Sequence, residues 1–118
     1  MTKIYHNIIR DCLKELSDKA YQERVWTGSS PSEMSSFEEA FEQLYGGTGL
    51  DSAYGKGEQI YGEPIDSLLK NFETMLQNTP HKGPASKLIE DEKMILVRKM
   101  AAHILSLIEQ QDREKQPA

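Results

Sequence analysis

Between Val25 and Gly55 the chain has not one lysine or arginine. Those thirty-one residues hold Glu33, Glu38, Glu39, Glu42 and Asp51 and sum to −5, whereas residues 1–24 sum to +1 and residues 56–118 to −1. The formal charge of the whole protein, −5, is thus concentrated in this one stretch. With a pI near 5.2, a nucleic-acid partner is disfavoured, because holding phosphates requires a basic face. Cysteine is nearly absent as well: Cys12 stands alone, so no internal disulfide can form. No apolar run exceeds a few residues, which leaves nothing to serve as a membrane span. The opening Met-Thr-Lys-Ile-Tyr-His-Asn has no apolar block and no small-residue cleavage site, so no signal peptide is read there. A cytosolic location is the resulting expectation.

What is present suits a folded helical chain. Apolar residues make up 37% and charged residues 28%, a balance that supports one modest core in a domain spanning residues 1–118. Ile4, Ile8, Ile9, Cys12, Leu13, Leu16 and Ala20 recur at helical spacing and predict a helix over 3–23, with Thr2 as its cap and Glu15–Lys19 as an i,i+4 ion pair. Gly28, Pro31 and the serines around them predict a break over 25–34. A capping box on Ser35 and Glu38 then opens a short helix over 36–45, with Phe37, Ala40, Phe41 and Leu44 inward and Glu38, Glu39 and Glu42 off that face. The glycines at 46, 47 and 49 end it, and one helical turn over 50–54 follows. Residues 59–62 read as either loop or short strand. Pro64 suits the first position of a third helix reaching about Asn78, with Ile65, Leu68, Leu69, Phe72, Met75 and Leu76 as its apolar face. After a loop over 78–84 with two prolines, a last helix is predicted over 86–111. Its stripe is Leu88, Ile89, Ile95, Leu96, Met100, Ala101, Ile104, Leu107 and Ile108, and a frayed polar tail over 112–118 follows it. The expected fold is all-α and compact: two long amphipathic helices, a third main helix and a short acidic helix.

Catalytic signatures fail on their spacing. A phosphate loop needs G-x-x-x-x-G-K-[ST]; here Gly57 follows Lys56, and Leu50 stands where the earlier glycine belongs. The dinucleotide pattern lacks its third glycine at Ser52 and follows a helix instead of a strand. His6, His81 and His103 have no second ligand at metal spacing. Cys12 falls on the apolar stripe of the first helix, where a free thiol acts as a small hydrophobe. Glu38 and Glu42 could form an acid/base pair, yet i,i+4 acids on an exposed helix are ordinarily solvated. No catalytic, cofactor-binding or metal-binding residue is therefore assigned. The acidic block could also be no more than a solvated face. Against that stand its lack of compensating cations and its interleaving with Trp26, Tyr45 and Tyr54, since aromatic anchors beside charge are typical of protein interfaces. The expected partner surface is Trp26, Glu33, Glu38, Glu39, Glu42, Tyr45, Asp51 and Tyr54.

The segments Val25-Trp26-Thr27-Gly28, Ser35 to Tyr45 and Gly49-Leu50-Asp51 resemble small bacterial immunity proteins of polymorphic toxin and contact-dependent growth inhibition systems. The resemblance covers about residues 20–70. Such proteins share a role more than a motif, so no residue role is carried over. The resemblance implies a cytosolic protein that binds and neutralises a cognate toxin domain, often a nuclease, whose anionic substrate makes it basic. No cofactor is implied. The alternative is an acidic helical adaptor or regulatory subunit with no toxin partner.

Overall fold

Helical spacing becomes helix along most of the chain. The computed structural model describes residues 2–29, 34–80 and 82–115. Within them lie α1 (His6–Ser17), α2 (Lys19–Tyr21), a π-helical turn π1 (Gln22–Trp26), α3 (Phe37–Glu42), a second π turn π2 (Gln43–Gly47), α4 (Leu50–Gly55), α5 (Ile65–Gln77), α6 (Ala85–Glu90) and α7 (Glu92–Lys115). No strand occurs among the described residues, so the all-α expectation holds and the stretch 59–62 is loop. No described helix is long and apolar enough to cross a membrane.

α1 and α5 both pack on α7, so the longest helix is the spine. Ile9, Cys12, Leu13 and Leu16 from α1 join Met94, Val97, Ala101, Ile104 and Ile108 from α7 and Leu69, Phe72 and Leu76 from α5 in one core. The predicted stripe of the last helix is only partly inward: Ile95 and Leu96 are exposed. Asp91 is the reason. It breaks the run, with extended backbone and a carboxylate that accepts from the Lys93 amide at 2.8 Å, and α7 restarts with Met94 and Val97 facing the core. At its far end α7 continues to Lys115, so residues 112–115 are helical instead of frayed; 116–118 lie outside the described residues.

The first predicted helix is likewise split. Asp18 is extended (φ −108°, ψ 98°) and its side chain caps α2 by accepting from the Tyr21 amide at 3.0 Å. That break leaves Ala20 exposed and dissolves the expected Glu15–Lys19 pair. Lys19 instead meets Glu90 at 3.4 Å, and Glu15 accepts from the Trp26 indole at 2.8 Å and from the Ser35 hydroxyl at 2.5 Å. Thr2 does not cap α1; its amide and hydroxyl both donate to the Glu58 carboxylate. Gln22 is fully buried in π1. Its amide donates to the carbonyls of Glu15 and Leu16, and its oxygen accepts from Arg98 at 3.0 Å, which also donates to the Ile89 carbonyl. This polar staple ties π1 and α6 to the spine, and each buried group in it has a partner.

Gly49 links the N-terminal segment to the helices around the acidic block. Its φ is +91°, and an added Cβ would run into the Lys3 carbonyl oxygen, while the neighbouring Thr48 carbonyl accepts from the Tyr5 amide at 3.0 Å. Gly57 also has positive φ, +77°, yet has open space around it. A left-handed non-glycine residue costs about 1–3 kcal/mol from the backbone alone. Gly57→Ala is expected to lose only that amount. Gly49→Ala should lose more, because the backbone at Lys3 must also move. Thermal melts of the two variants decide this, and equal losses would mean the close approach contributes nothing.

Candidate functional site

The acidic helix is held from beneath by a ladder of aromatic rings. Trp26 meets Phe37 edge-on at 6.1 Å, Phe37 meets Phe41 at 6.2 Å, and Phe41 meets Tyr45 at 5.8 Å. Phe37, Phe41 and Tyr45 are spaced by four, which stacks them on one helical face as the chain passes from α3 into π2. Tyr45 then donates its hydroxyl to the Leu69 carbonyl at 2.7 Å, pinning π2 to α5. Ser36, one residue later than expected, caps α3 by accepting from the Glu39 amide at 3.1 Å, because Ser35 is engaged by Glu15. The ladder fixes the inward face, so Glu38, Glu39 and Glu42 are exposed.

This geometry corrects part of the expected partner surface. Trp26 and Tyr45 are core residues, 7% and 1% exposed, with their polar atoms bonded inside the protein. Tyr54 is half-buried and donates to Asp66 at 2.8 Å. None of the three is a free aromatic anchor. Glu33 lies outside the described residues. The four remaining acids, Glu38, Glu39, Glu42 and Asp51, are all exposed.

Around α3 the surface is concave on both sides. On one flank a cleft of about 490 Å³ is lined by Glu38, Phe41, Glu42, Tyr45, Gly46, Asp51, Glu73 and Gln77. A second hollow of about 600 Å³ is lined by Cys12, Glu15, Ser35, Glu39, Ala40, Glu42, Gln43 and Gly47. A third, of about 310 Å³, is lined by Asp11, Lys14, Glu15, Asp18 and Tyr21. Glu42 borders the first two and Glu15 the last two, so the three hollows adjoin one another as a belt. Eight acidic residues face it, and Lys14 is the one basic residue in its lining. Glu73, Glu15, Asp11 and Asp18 lie outside the surface expected from the sequence. All four stand in segments whose charges balance along the chain, and only folding sorts them onto one face.

Within the belt, Asp51 of α4 and Glu73 of α5 line the same cleft. Partial burial pushes the Glu73 carboxyl up to about 7, and the nearby Asp51 carboxylate adds to the rise. Tyr45, under the same cleft, is pushed well above the usual phenol range by burial, with further contributions from Glu73, Tyr54 and Asp51. The Cys12 thiol is pushed up to about 12 by burial and by Glu15 and Asp11, so it is not a thiolate at neutral pH. His6 accepts or donates at 3.0 Å to the Tyr61 hydroxyl, and His103 is exposed on α7; His81 lies outside the described residues. Among the described residues no group of three His, Cys, Asp or Glu side chains is arranged to hold a metal ion.

The arrangement is a negatively charged, partly aromatic concave surface, suited to receiving cationic side chains with apolar stems. Compared with protein-family models, with curated proteins and with solved structures, the chain matches none.

Proposed function

We propose that this protein is a stoichiometric, non-enzymatic inhibitor of the immunity type, which neutralises a cognate basic nuclease toxin domain by covering its substrate cleft. The single observation that carries the proposal is the acidic belt running from Asp18 through Glu15 and Glu42 to Glu73. A nuclease lines its cleft with Lys and Arg to hold phosphates. A surface of opposite sign and concave shape competes for those same cations and speeds encounter at low salt. The site of action in this reading is the cytoplasm, where a nuclease toxin meets its substrate. The resemblance over residues 20–70 points the same way.

Affinity capture on the tagged full chain from its host cells is expected to return one basic protein in equal amount. The captured protein on its own should degrade nucleic acid, and adding back the chain should suppress that degradation. Capture of a basic protein without toxic or nucleolytic activity would favour an adaptor instead. Recovery of an acidic partner insensitive to salt would overturn the electrostatic basis altogether.

A further inference from the structure

The outer side of α7 carries apolar residues that the fold leaves uncovered. Leu96 is 56% exposed, Met100 and Leu107 are half-buried, and His103 between them is exposed. Their successive spacings of four, three and four residues set them in one stripe, the pattern by which one helix seats against another. This stripe is distinct from the inward face, where Met94, Val97, Ala101, Ile104 and Ile108 meet the core. α5 runs antiparallel beside it. The Gln111 amide donates to the Tyr61 carbonyl ahead of α5 at 2.7 Å, and the Lys93 ammonium donates to the Asn78 carbonyl at its end at 3.1 Å. α5 thus flanks the stripe without covering it. No residue of α7 lines the three acidic hollows.

We propose that this stripe seats the same stripe of a second copy of the chain, so that α7 pairs antiparallel with α7 in a two-fold dimer. Charge selects this occupant and this direction. α7 holds five basic and four acidic residues and sums to +1, while the rest of the chain sums to −6. Two acidic molecules can therefore approach through α7 without bringing their acidic belts together. One antiparallel register places Leu96 against Leu107 of the second copy and Met100 against its His103. In the same register Glu92 stands opposite Arg113 of the second copy, on the flank of the seam, and the two-fold axis repeats every contact. Both residues are exposed and lie at opposite ends of the helix. A parallel pairing would hold Glu92 and Arg113 about 30 Å apart, at ~1.5 Å per residue, and would lose that ion pair. A single pair of helices buries less than the about 800 Å² per partner of a standard interface, and a polar His103 in the seam weakens it further. The dimer is accordingly expected in the micromolar range. It leaves the acidic belt open on both copies.

The test is the mass of the free, full-length protein by analytical ultracentrifugation between about 1 μM and about 1 mM, a span chosen to bracket a micromolar constant. The wild type should pass from one chain to two. Leu96→Asp should weaken the dimer at least about tenfold, since each copy would set a carboxylate against Leu107. His103→Leu, which makes the seam wholly apolar, should tighten it at least about tenfold. Glu92→Arg and Arg113→Glu should each weaken it, and the two together should restore it, because the pair re-forms with its signs exchanged. Circular dichroism should remain helical in all of them, as the four side chains are exposed. A single chain at every concentration, in the wild type and in His103→Leu alike, would overturn the dimer and leave the stripe to solvent or to a different protein. A dimer indifferent to Leu96→Asp would use another surface and would overturn it equally. A double charge reversal no better than either single one would overturn the antiparallel register. Should Leu96→Asp fail to fold, His103→Leu and the charge exchange still decide the question. These masses are measured with no basic partner present, so the dimer and the proposed function fail separately.

Discussion

Reversing two charges on one helix, Glu38→Lys with Glu42→Lys, is expected to abolish binding of the basic partner while the fold persists. The two residues are one turn apart on α3 and both line the cleft, and Glu42 also borders the neighbouring hollow. The double change therefore acts on two of the three concavities at once. Losing one member of a desolvated charge pair costs about 2–5 kcal/mol, and a reversal adds repulsion to that loss. Even the lower figure applied at both positions weakens affinity by about 1,000-fold. Both side chains are exposed, so the fold should lose little; the interaction of Glu38 with the N-terminal helix dipole is worth about 0.3–1 kcal/mol. Circular dichroism should accordingly remain helical. Glu109→Lys, exposed on α7, changes the net charge equally per residue and should retain most of the binding. Added salt should slow association of the wild type more than it speeds dissociation. The double variant binding as tightly as wild type at low salt would reduce the belt to a solvated face.

The second large effect is expected at Asp66, a residue outside the belt. Its carboxylate is only 2% exposed and accepts from four donors: the amides of Ile60 at 3.1 Å, Tyr61 at 3.1 Å and Gly62 at 2.8 Å, and the Tyr54 hydroxyl at 2.8 Å. The loop joining α4 to α5 is in effect wrapped around this one side chain. Asp66→Ala leaves those donors without an acceptor, at about 1–3 kcal/mol for each one that water cannot reach. A total loss of about 4 kcal/mol is expected, a large fraction of the 5–15 kcal/mol that stabilises a typical domain. Asp66→Asn should be costly too, because its NH2 group would face amides that also donate. Tyr54→Phe removes a single donor and should lose about 1 kcal/mol. Urea denaturation of the three variants gives the ranking directly. If Asp66→Ala proves no worse than Tyr54→Phe, the carboxylate does not organise the loop.

The bond from Asp66 to residues 60–62 explains why that stretch resisted a reading by pattern. Its amides point at a side chain four to six positions further on, a pairing that neither helical nor strand periodicity encodes. The breaks at Asp18 and Asp91 escaped for a related reason. Apolar spacing continues across both, and each aspartate acts as a cap only because the chain around it turns. By contrast, α3 and α5 follow closely from the placement of Phe37, Ala40 and Leu44 and of Ile65, Leu69, Phe72 and Leu76, since an amphipathic face of that width has one way to be buried.

What the sequence alone determined was the helical class, the acidic character of residues 25–55 and the outward placement of Glu38, Glu39 and Glu42. Those features depend on residue identity and on spacing within one helix, and both are local. The fate of the aromatics was decided only by tertiary packing. An aromatic beside carboxylates reads the same whether it faces a partner or the core, and here Trp26, Phe37, Phe41 and Tyr45 stack on one another beneath α3. Tertiary structure also decided the extent of the negative surface. Asp11, Glu15, Asp18 and Glu73 are balanced by nearby cations along the chain, but folding places them in the linings of the cleft and the hollows beside it, while Arg10 and Lys19 pair with Asp112 and Glu90. A charge pattern in one dimension becomes a binding surface only when packing determines which residues share a face.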